Sequence, residues 1–222
     1  MEILVIGSEI NLQECRQKFG EIHHYELAEN HFEIDSLLKA EPIVFDFKIG
    51  KQSTQIEVYH NFSGIVFLDC SRTSLAQMIR KTHAKPTCFG FSGLPTFLNR
   101  EILEVSLSIK TDQKKLQEVC AKLNTKFMVV KDQVGLITAR VICMIINEAY
   151  FAIQENIASL EDIDLAMKLG TNYPFGPFEW CEKIGINNVY ELLNAVHEST
   201  KDDRYKICEL LKEEASRFKP RH

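Results

Sequence analysis

The sequence predicts two domains of different class: an α/β domain built on a mostly parallel sheet, followed by an all-helical domain. Three observations carry this reading. Over roughly the first 130 residues, strand-like apolar runs alternate with helical patterns. From Asp132 onward the strand-like runs stop, and apolar positions recur at helical spacing. The length of 222 residues, 45% of them hydrophobic and 26% charged, is enough for two modest cores. The spacing places the boundary near Lys131, giving domains 1–131 and 132–222.

Each element has a local reason. "EILVIG" (2–7) reads as a buried strand, and "NLQECRQKFG" (11–20) as a helix with Leu12, Cys15 and Phe19 on one face and Gly20 as its stop. "EIHHYEL" (21–27) reads as a second strand and "HFEIDSLLKA" (31–40) as a short helix. "PIVFDF" (42–47), "GIVFLDC" (64–70), "PTCFGFS" (86–92) and "LEVSLS" (103–108) are strand-like, with helices at 74–82 and 112–124. Repeated β-α-β units of this kind demand a parallel sheet covered by helices. In the second domain, 135–157 is a long apolar-rich helix. "SLEDIDLAMKLG" (159–170) has Ser159 as N-cap, Asp162 three residues on and Gly170 as stop. Helices are expected at about 176–182, 186–198 and 203–217.

Composition narrows the function classes. A net charge of −5 argues against a nucleic-acid-binding surface. Seven scattered cysteines without a CxxC pair suggest neither a disulfide framework nor a zinc site, and a reducing, cytoplasmic setting. No apolar run approaches the ~20 residues of a membrane span, and no leader-like segment precedes "MEILVIG". His23 and His24 are neighbours in a strand and point to opposite faces, so no metal site is expected. "GFSGLP" fails the hydrolase elbow because Leu94 stands where a second glycine is required.

The specific signal lies in "INEAYFAIQENIASLEDIDLAMKLGTNYPFGPFEW" (146–180). This stretch closely resembles the C-terminal domain of 3-hydroxyacyl-CoA dehydrogenases, through Asn147–Ala149, Ala158–Leu169 with Gly170, and Tyr173–Glu179. The first half resembles that family's Rossmann-like nucleotide-binding domain more loosely. It is several dozen residues shorter, lacking the helical excursion that in the family follows the second strand and helps cover coenzyme A. The resemblance implies NAD as cofactor, an acyl-CoA-type substrate, interconversion of 3-hydroxyacyl- and 3-oxoacyl-CoA, and a homodimer held by the helical domain. Apolar residues over more than one face of 141–157 agree with burial against a second subunit.

The resemblance also locates the chemistry. Glu104 in "LEV" matches the family's glutamate that orients a catalytic histidine, and twelve residues back stands Ser92 in "GFSGLPT". Removing the hydroxyl proton as hydride leaves needs a base titrating near neutrality, which a serine without its own base is not. Loss of such a base costs about 10²–10⁴ in rate. Pro95 and Ala139 stand where the family has asparagines, while Arg140 is kept. "SRTSL" (71–75) leaves Thr73 as a hydroxyl contact. The site implied by resemblance is therefore Glu104, Ser92 and Thr73, with Gly7, Glu9 and Glu26 on the cofactor.

The loop "VIGSEINLQE" (5–14) has a tight-turn glycine, Gly7, but Glu9 and Leu12 at the second and third glycine positions of G-x-G-x-x-G. A carboxylate about 4 Å from a phosphate charge costs roughly 4 kcal/mol at an effective dielectric near 20, about a thousandfold in affinity. Glu9 escapes that cost by turning outward; alternatively it occupies the helix N-terminus as a built-in anion. Glu26, nineteen residues after Gly7 and expected to end the second strand, suits a ribose-binding acid. On the residues alone, a dehydrogenase with weak or lost activity competes with a non-catalytic dimeric scaffold binding acyl-CoA or protein. A third option is another hydroxy-acid dehydrogenase of the wider 6-phosphogluconate dehydrogenase-like superfamily, against which the same loop counts.

Overall fold

The structure, a computed structural model, describes residues 1–32, 34–80 and 86–217. It divides into two compact units, Met1–Ile137 and Thr138–His222.

In the first unit, β1 (Glu2–Ile6), α1 (Glu9–Phe19), β2 (His24–Ala28), α2 (Ile34–Leu37) and β3 (Ile43–Asp46) are followed by a 3-10 segment, Ser53–Tyr59. Then come β4 (Ile65–Asp69), α3 (Leu75–Ile79), β5 (Thr87–Phe91), β6 (Ile102–Leu107), α4 (Gln113–Lys122) and β7 (Lys126–Val130). The seven described strands form one sheet in the order β2-β1-β3-β4-β5-β6-β7, parallel except where β5 meets β6. Both faces are covered, which is why the strands are near-continuous apolar runs. One face carries Ile3, Val5, Phe45, Phe67 and Phe89 against Leu12, Cys15 and Phe19 of α1 and Leu116 of α4. Phe45 and Phe67 stack there at 4.6 Å and 6°. The other face carries Leu4, Ile6, Val44, Val66 and Leu68 against Ile34, Ile56, Tyr59 and Met78.

This layering changes sides between β1 and β3. The chain leaves β1 for α1 on one face and leaves β3 for the 3-10 segment on the other. Such a divergence between neighbouring parallel strands is a topological switch point, the usual ligand position in open α/β sheets. The register aligns Ala28, Ile6 and Asp46 across β2, β1 and β3 at this carboxyl edge.

Several sequence-based boundaries shift. The expected helix over 31–40 is one α-turn plus a 3-10 turn to Ala40. The sequence leaves β7 unassigned; paired only with β6, it is half-exposed and lacks the apolar run of a central strand. The units meet at Ile137/Thr138 rather than at Lys131, because 132–137 is built into the first. Asp132 accepts the amides of Leu75 (2.9 Å) and Ala76 (2.8 Å), and Gly135 N donates to the Cys70 carbonyl (2.8 Å).

The second unit contains α5 (Thr138–Gln154), α6 (Leu160–Thr171), α7 (Pro177–Ile184), α8 (Ile186–Thr200) and α9 (Glu209–Arg217). Helix α5 packs on α7, α8 and α9 through buried Ile142, Ile146 and Tyr150. Gly170 does not stop α6; the helix runs on to Thr171 and closes on Asn172 in the left-handed conformation (φ 55°). The segment expected as one helix over 203–217 is a 3-10 turn, a break, and then α9. No helix among the described residues is long and apolar enough to cross a membrane.

Candidate functional site

The glycine turn after β1 is filled by its own helix. Asn11 Oδ1 accepts the Ser8 amide (2.8 Å) and the Ser8 hydroxyl (2.9 Å). A Cβ at Gly7 would lie 2.6 Å from that same oxygen, so a side chain here would have to displace Asn11. Glu9 turns outward: it is exposed and accepts Gln13 Nε2 at 2.7 Å, one helical turn along. Of the two alternatives for Glu9, the outward one is realised, because an i,i+4 partner stabilises it.

Glu26 does not end β2. It is exposed in mid-strand opposite Leu4, and β2 continues to Ala28, whose carbonyl takes the Gly7 amide at 3.0 Å. The first acidic residue past the strand, level with the glycine turn, is Glu29.

The antiparallel register of β5 and β6 pairs Phe89 with Leu107 and Gly90 with Ser106; Ser92 follows the end of β5, and Glu104 lies in β6 two residues before Ser106. Ser92 is buried, and its Oγ has no hydrogen-bond partner among the described residues. Glu104 Oε2 accepts the Ile137 amide at 3.1 Å, and its charge also bears on Arg100. It anchors the chain leading out of the first unit.

The loop after Ser92 is held from two sides. Gly93 N donates to Asp69 Oδ1 (2.8 Å), an oxygen that also takes the Ser71 amide, while Ser71 Oγ donates to Asp69 Oδ2 (2.6 Å). Burial raises the Asp69 pKa; Arg72 and these donors oppose that shift. From α1, Glu14 accepts the Thr96 amide (2.6 Å) and Gln17 accepts from Asn99 (2.9 Å). Thr73 lies apart from these groups. It lines a recess of about 490 Å³ with Thr54, Glu57, Gln77 and Arg80, whose lining includes neither Gly7, Ser92 nor Glu104.

A second buried polar cluster sits at the end of β3. His31 Nε2 and Tyr59 OH meet Asp46 Oδ2 at 2.7 and 2.8 Å, while Oδ1 accepts the amides of Lys48 (3.0 Å) and Ile49 (2.9 Å). Sequence reasoning missed both aspartates. The signal was present: "PIVFDF" and "GIVFLDC" each set an Asp near the end of an apolar run, where a charged residue needs a dedicated partner set.

In the second unit the motif residues are structural. Asn147 donates to the Lys206 carbonyl (3.0 Å) and accepts the Cys208 amide (2.9 Å). Asp164 accepts the amides of Phe178 (2.8 Å) and Glu179 (3.1 Å), capping α7 across the EDID–GPFE interval. Ala139 is buried, and the Arg140 guanidinium lies over the Tyr205 ring at 5.1 Å. All seven cysteines are buried and none is in a disulfide. Among the described residues no group of three His, Cys, Asp or Glu side chains could hold a metal ion.

Residues 135–218 match the family model of the 3-hydroxyacyl-CoA dehydrogenase C-terminal domain. The helical second unit is thus a 3-hydroxyacyl-CoA dehydrogenase C-terminal domain by family. It is 28% identical over 178 residues to a 3-hydroxybutyryl-CoA dehydrogenase of Bradyrhizobium diazoefficiens, covering 76% of this chain and 61% of that protein. It is 41% identical over 86 residues to a 3-hydroxyadipyl-CoA dehydrogenase of Escherichia coli, covering 39% and 18%. With the mitochondrial hydroxyacyl-coenzyme A dehydrogenase of Mus musculus the identity is 34% over 134 residues, covering 58% and 43%. The chain thus spans less than two thirds of these curated relatives' lengths. In fold it is similar to the crystal structure of (S)-3-hydroxybutyryl-CoA dehydrogenase from Ralstonia eutropha (TM-score 0.68, 17% identity, 97% and 93% of the two chains covered). FadB2 of M. tuberculosis gives a TM-score of 0.77 at 13% identity, with the same coverage.

Proposed function

We propose that this 3-hydroxyacyl-CoA dehydrogenase-like protein takes an acyl-CoA-type ligand and catalyses hydride transfer weakly or not at all. One observation carries the reading: Ser92, which the resemblance places at the histidine position, is a buried hydroxyl without a hydrogen-bond partner among the described residues. Glu104 accepts the Ile137 amide, and a serine hydroxyl does not take a proton at neutral pH without a base. The NAD on which the family depends would supply the hydride acceptor. The glycine turn as built does not fit it, because Asn11 occupies the space at Gly7 and takes the Ser8 amide that an incoming phosphate would need.

The test is NADH oxidation with acetoacetyl-CoA, run beside calorimetric titration of each ligand. The expected result is acyl-CoA binding with turnover below about 1 s⁻¹, the lower end for ordinary enzymes. Turnover above that value overturns the reading. A second reading, a non-catalytic homodimeric scaffold, is favoured by the apolar side chains that the second unit leaves in solvent. Leu165 and Leu169 are 53% and 78% exposed on α6, and Ile157 just before it is 69% exposed. Dimeric mass by light scattering at micromolar concentration, with acyl-CoA bound and no turnover, selects it.

A further inference from the structure

Two side-chain bonds tie the loop after β2 to the loop after β3, across the carboxyl end of β1. His31, three residues past the end of β2, holds Asp46, the last residue of β3, at 2.7 Å. Lys48 Nζ, two residues beyond β3, donates to the carbonyl of Glu29, the first residue beyond β2. β2 and β3 are not neighbours; β1 lies between them, so these ends stand about 9.5 Å apart, two strand spacings. The bonds therefore bridge the end of β1, just before Gly7, at the switch point.

The bridge is firmly held. The His31 and Asp46 side chains are 1% and 0% exposed, and Asp46 has four hydrogen-bond donors, counting His31, Tyr59 OH and the amides of Lys48 and Ile49. Removing one partner would leave a buried polar group unsatisfied, so the strap opens only at substantial cost. In a dinucleotide-binding sheet the adenosine half lies between these two loops, with a ribose-binding acid at the end of the second strand. Here Glu29 is the residue at that point, and Lys48 engages its main-chain carbonyl rather than its carboxylate, laying the lysine across the gap between the two loops.

We propose that the chain has closed the adenosine half of its own dinucleotide crevice with the His31–Asp46–Tyr59 knot and the Lys48–Glu29 clasp. The inference rests on reading the crevice as a former dinucleotide site, and it goes further by naming the residues that fill it. The filled crevice completes the fold without a cofactor.

ADP-ribose, which carries the adenosine and diphosphate without the nicotinamide, is the probe. Calorimetric titration of the full chain is expected to give a dissociation constant weaker than about 1 mM. The variant His31→Ala/Lys48→Ala is expected to bind at least about tenfold more tightly than the wild type. Lys48→Ala alone serves, with a smaller gain, if the double variant does not fold, and His31→Gln, which keeps a donor to Asp46, stays closed. Wild-type binding below about 100 µM, or opened variants that bind no better than wild type, overturns the proposal. Titration with acetoacetyl-CoA in the same preparations keeps the two readings apart. Acyl-CoA binding alongside tight ADP-ribose binding sinks the strap and leaves the acyl-CoA reading standing; absent acyl-CoA binding with the expected ADP-ribose results does the reverse.

Discussion

Gly176 stands where the carboxyl group of Asp164 leaves no room for a side chain. A Cβ there would lie 2.3 Å from Asp164 Oδ1. The two residues form one device: the aspartate of "EDID" caps the helix that begins after the glycine of "GPFE". Lys168, on the same helix as Asp164, adds an ion pair to Glu179 at 2.5 Å. Gly176→Ala should destabilise the second unit by displacing the cap. Asp164→Ala should cost about 2–4 kcal/mol, since two amides lose their acceptor. Asp164→Asn should cost less, because one oxygen remains. Urea unfolding monitored by circular dichroism reads all three, and equal stability of Asp164→Ala and wild type would show the cap is not needed.

Asn147 acts in the same way at the other end of the helical unit. Its amide group satisfies a carbonyl at Lys206 and an amide at Cys208, fastening the break before α9 onto α5. Asn147→Ala should cost about 2–3 kcal/mol and speed hydrogen exchange at the Cys208 amide. Unchanged exchange there would remove the clasp as an explanation for the "NEA" motif.

Ser92 gives a prediction of opposite sign. An unpaired buried hydroxyl is a cost, so Ser92→Ala should leave the melting temperature unchanged or raise it, by up to about 1 kcal/mol in stability. Residual turnover, if detected, should move less than about twofold, against the 10²–10⁴ typical of a general base. A large loss of turnover with normal melting would make Ser92 a catalytic residue.

Glu14 makes stability depend on pH. Burial raises its pKa, and the Thr96 amide lowers it by less. A carboxyl group whose folded pKa lies above its unfolded value contributes stability that is present below the unfolded pKa and lost as pH rises through the folded pKa. Glu14→Gln keeps an acceptor for Thr96 and carries no charge. Its advantage over wild type should appear above that range and vanish below about pH 4, where Glu14 is protonated in both states. Parallel unfolding curves at pH 4 and pH 7 check this; a constant difference contradicts it.

Much of the fold was legible because its causes are local or periodic. Apolar runs such as "GIVFLDC" have to be strands buried on both faces, and Leu12, Cys15 and Phe19 share a helical face whatever lies beneath it. Ser159 caps α6 from its own neighbourhood, accepting the Asp162 amide at 3.2 Å. The edge strand β7 escaped because pairing on one side only relaxes the apolar pattern. The unit boundary escaped because 132–137 owes its place to partners some sixty residues away, the amides of Leu75 and Ala76 and the carbonyl of Cys70.

The sequence by itself determined the class of both domains and the family of the helical one. Tertiary structure alone decided what the functional residues touch. Glu9 faces solvent because Gln13 holds it, Asn11 rather than an external anion takes the Ser8 amide, and His31 reaches Asp46 across an intervening strand. The physical reason is reach. A residue's type and its neighbours within a turn are written in the chain, but the partner of a buried polar group is chosen by strand order and register. In this sheet, order β2-β1-β3 brings together side chains that nothing in their spacing relates.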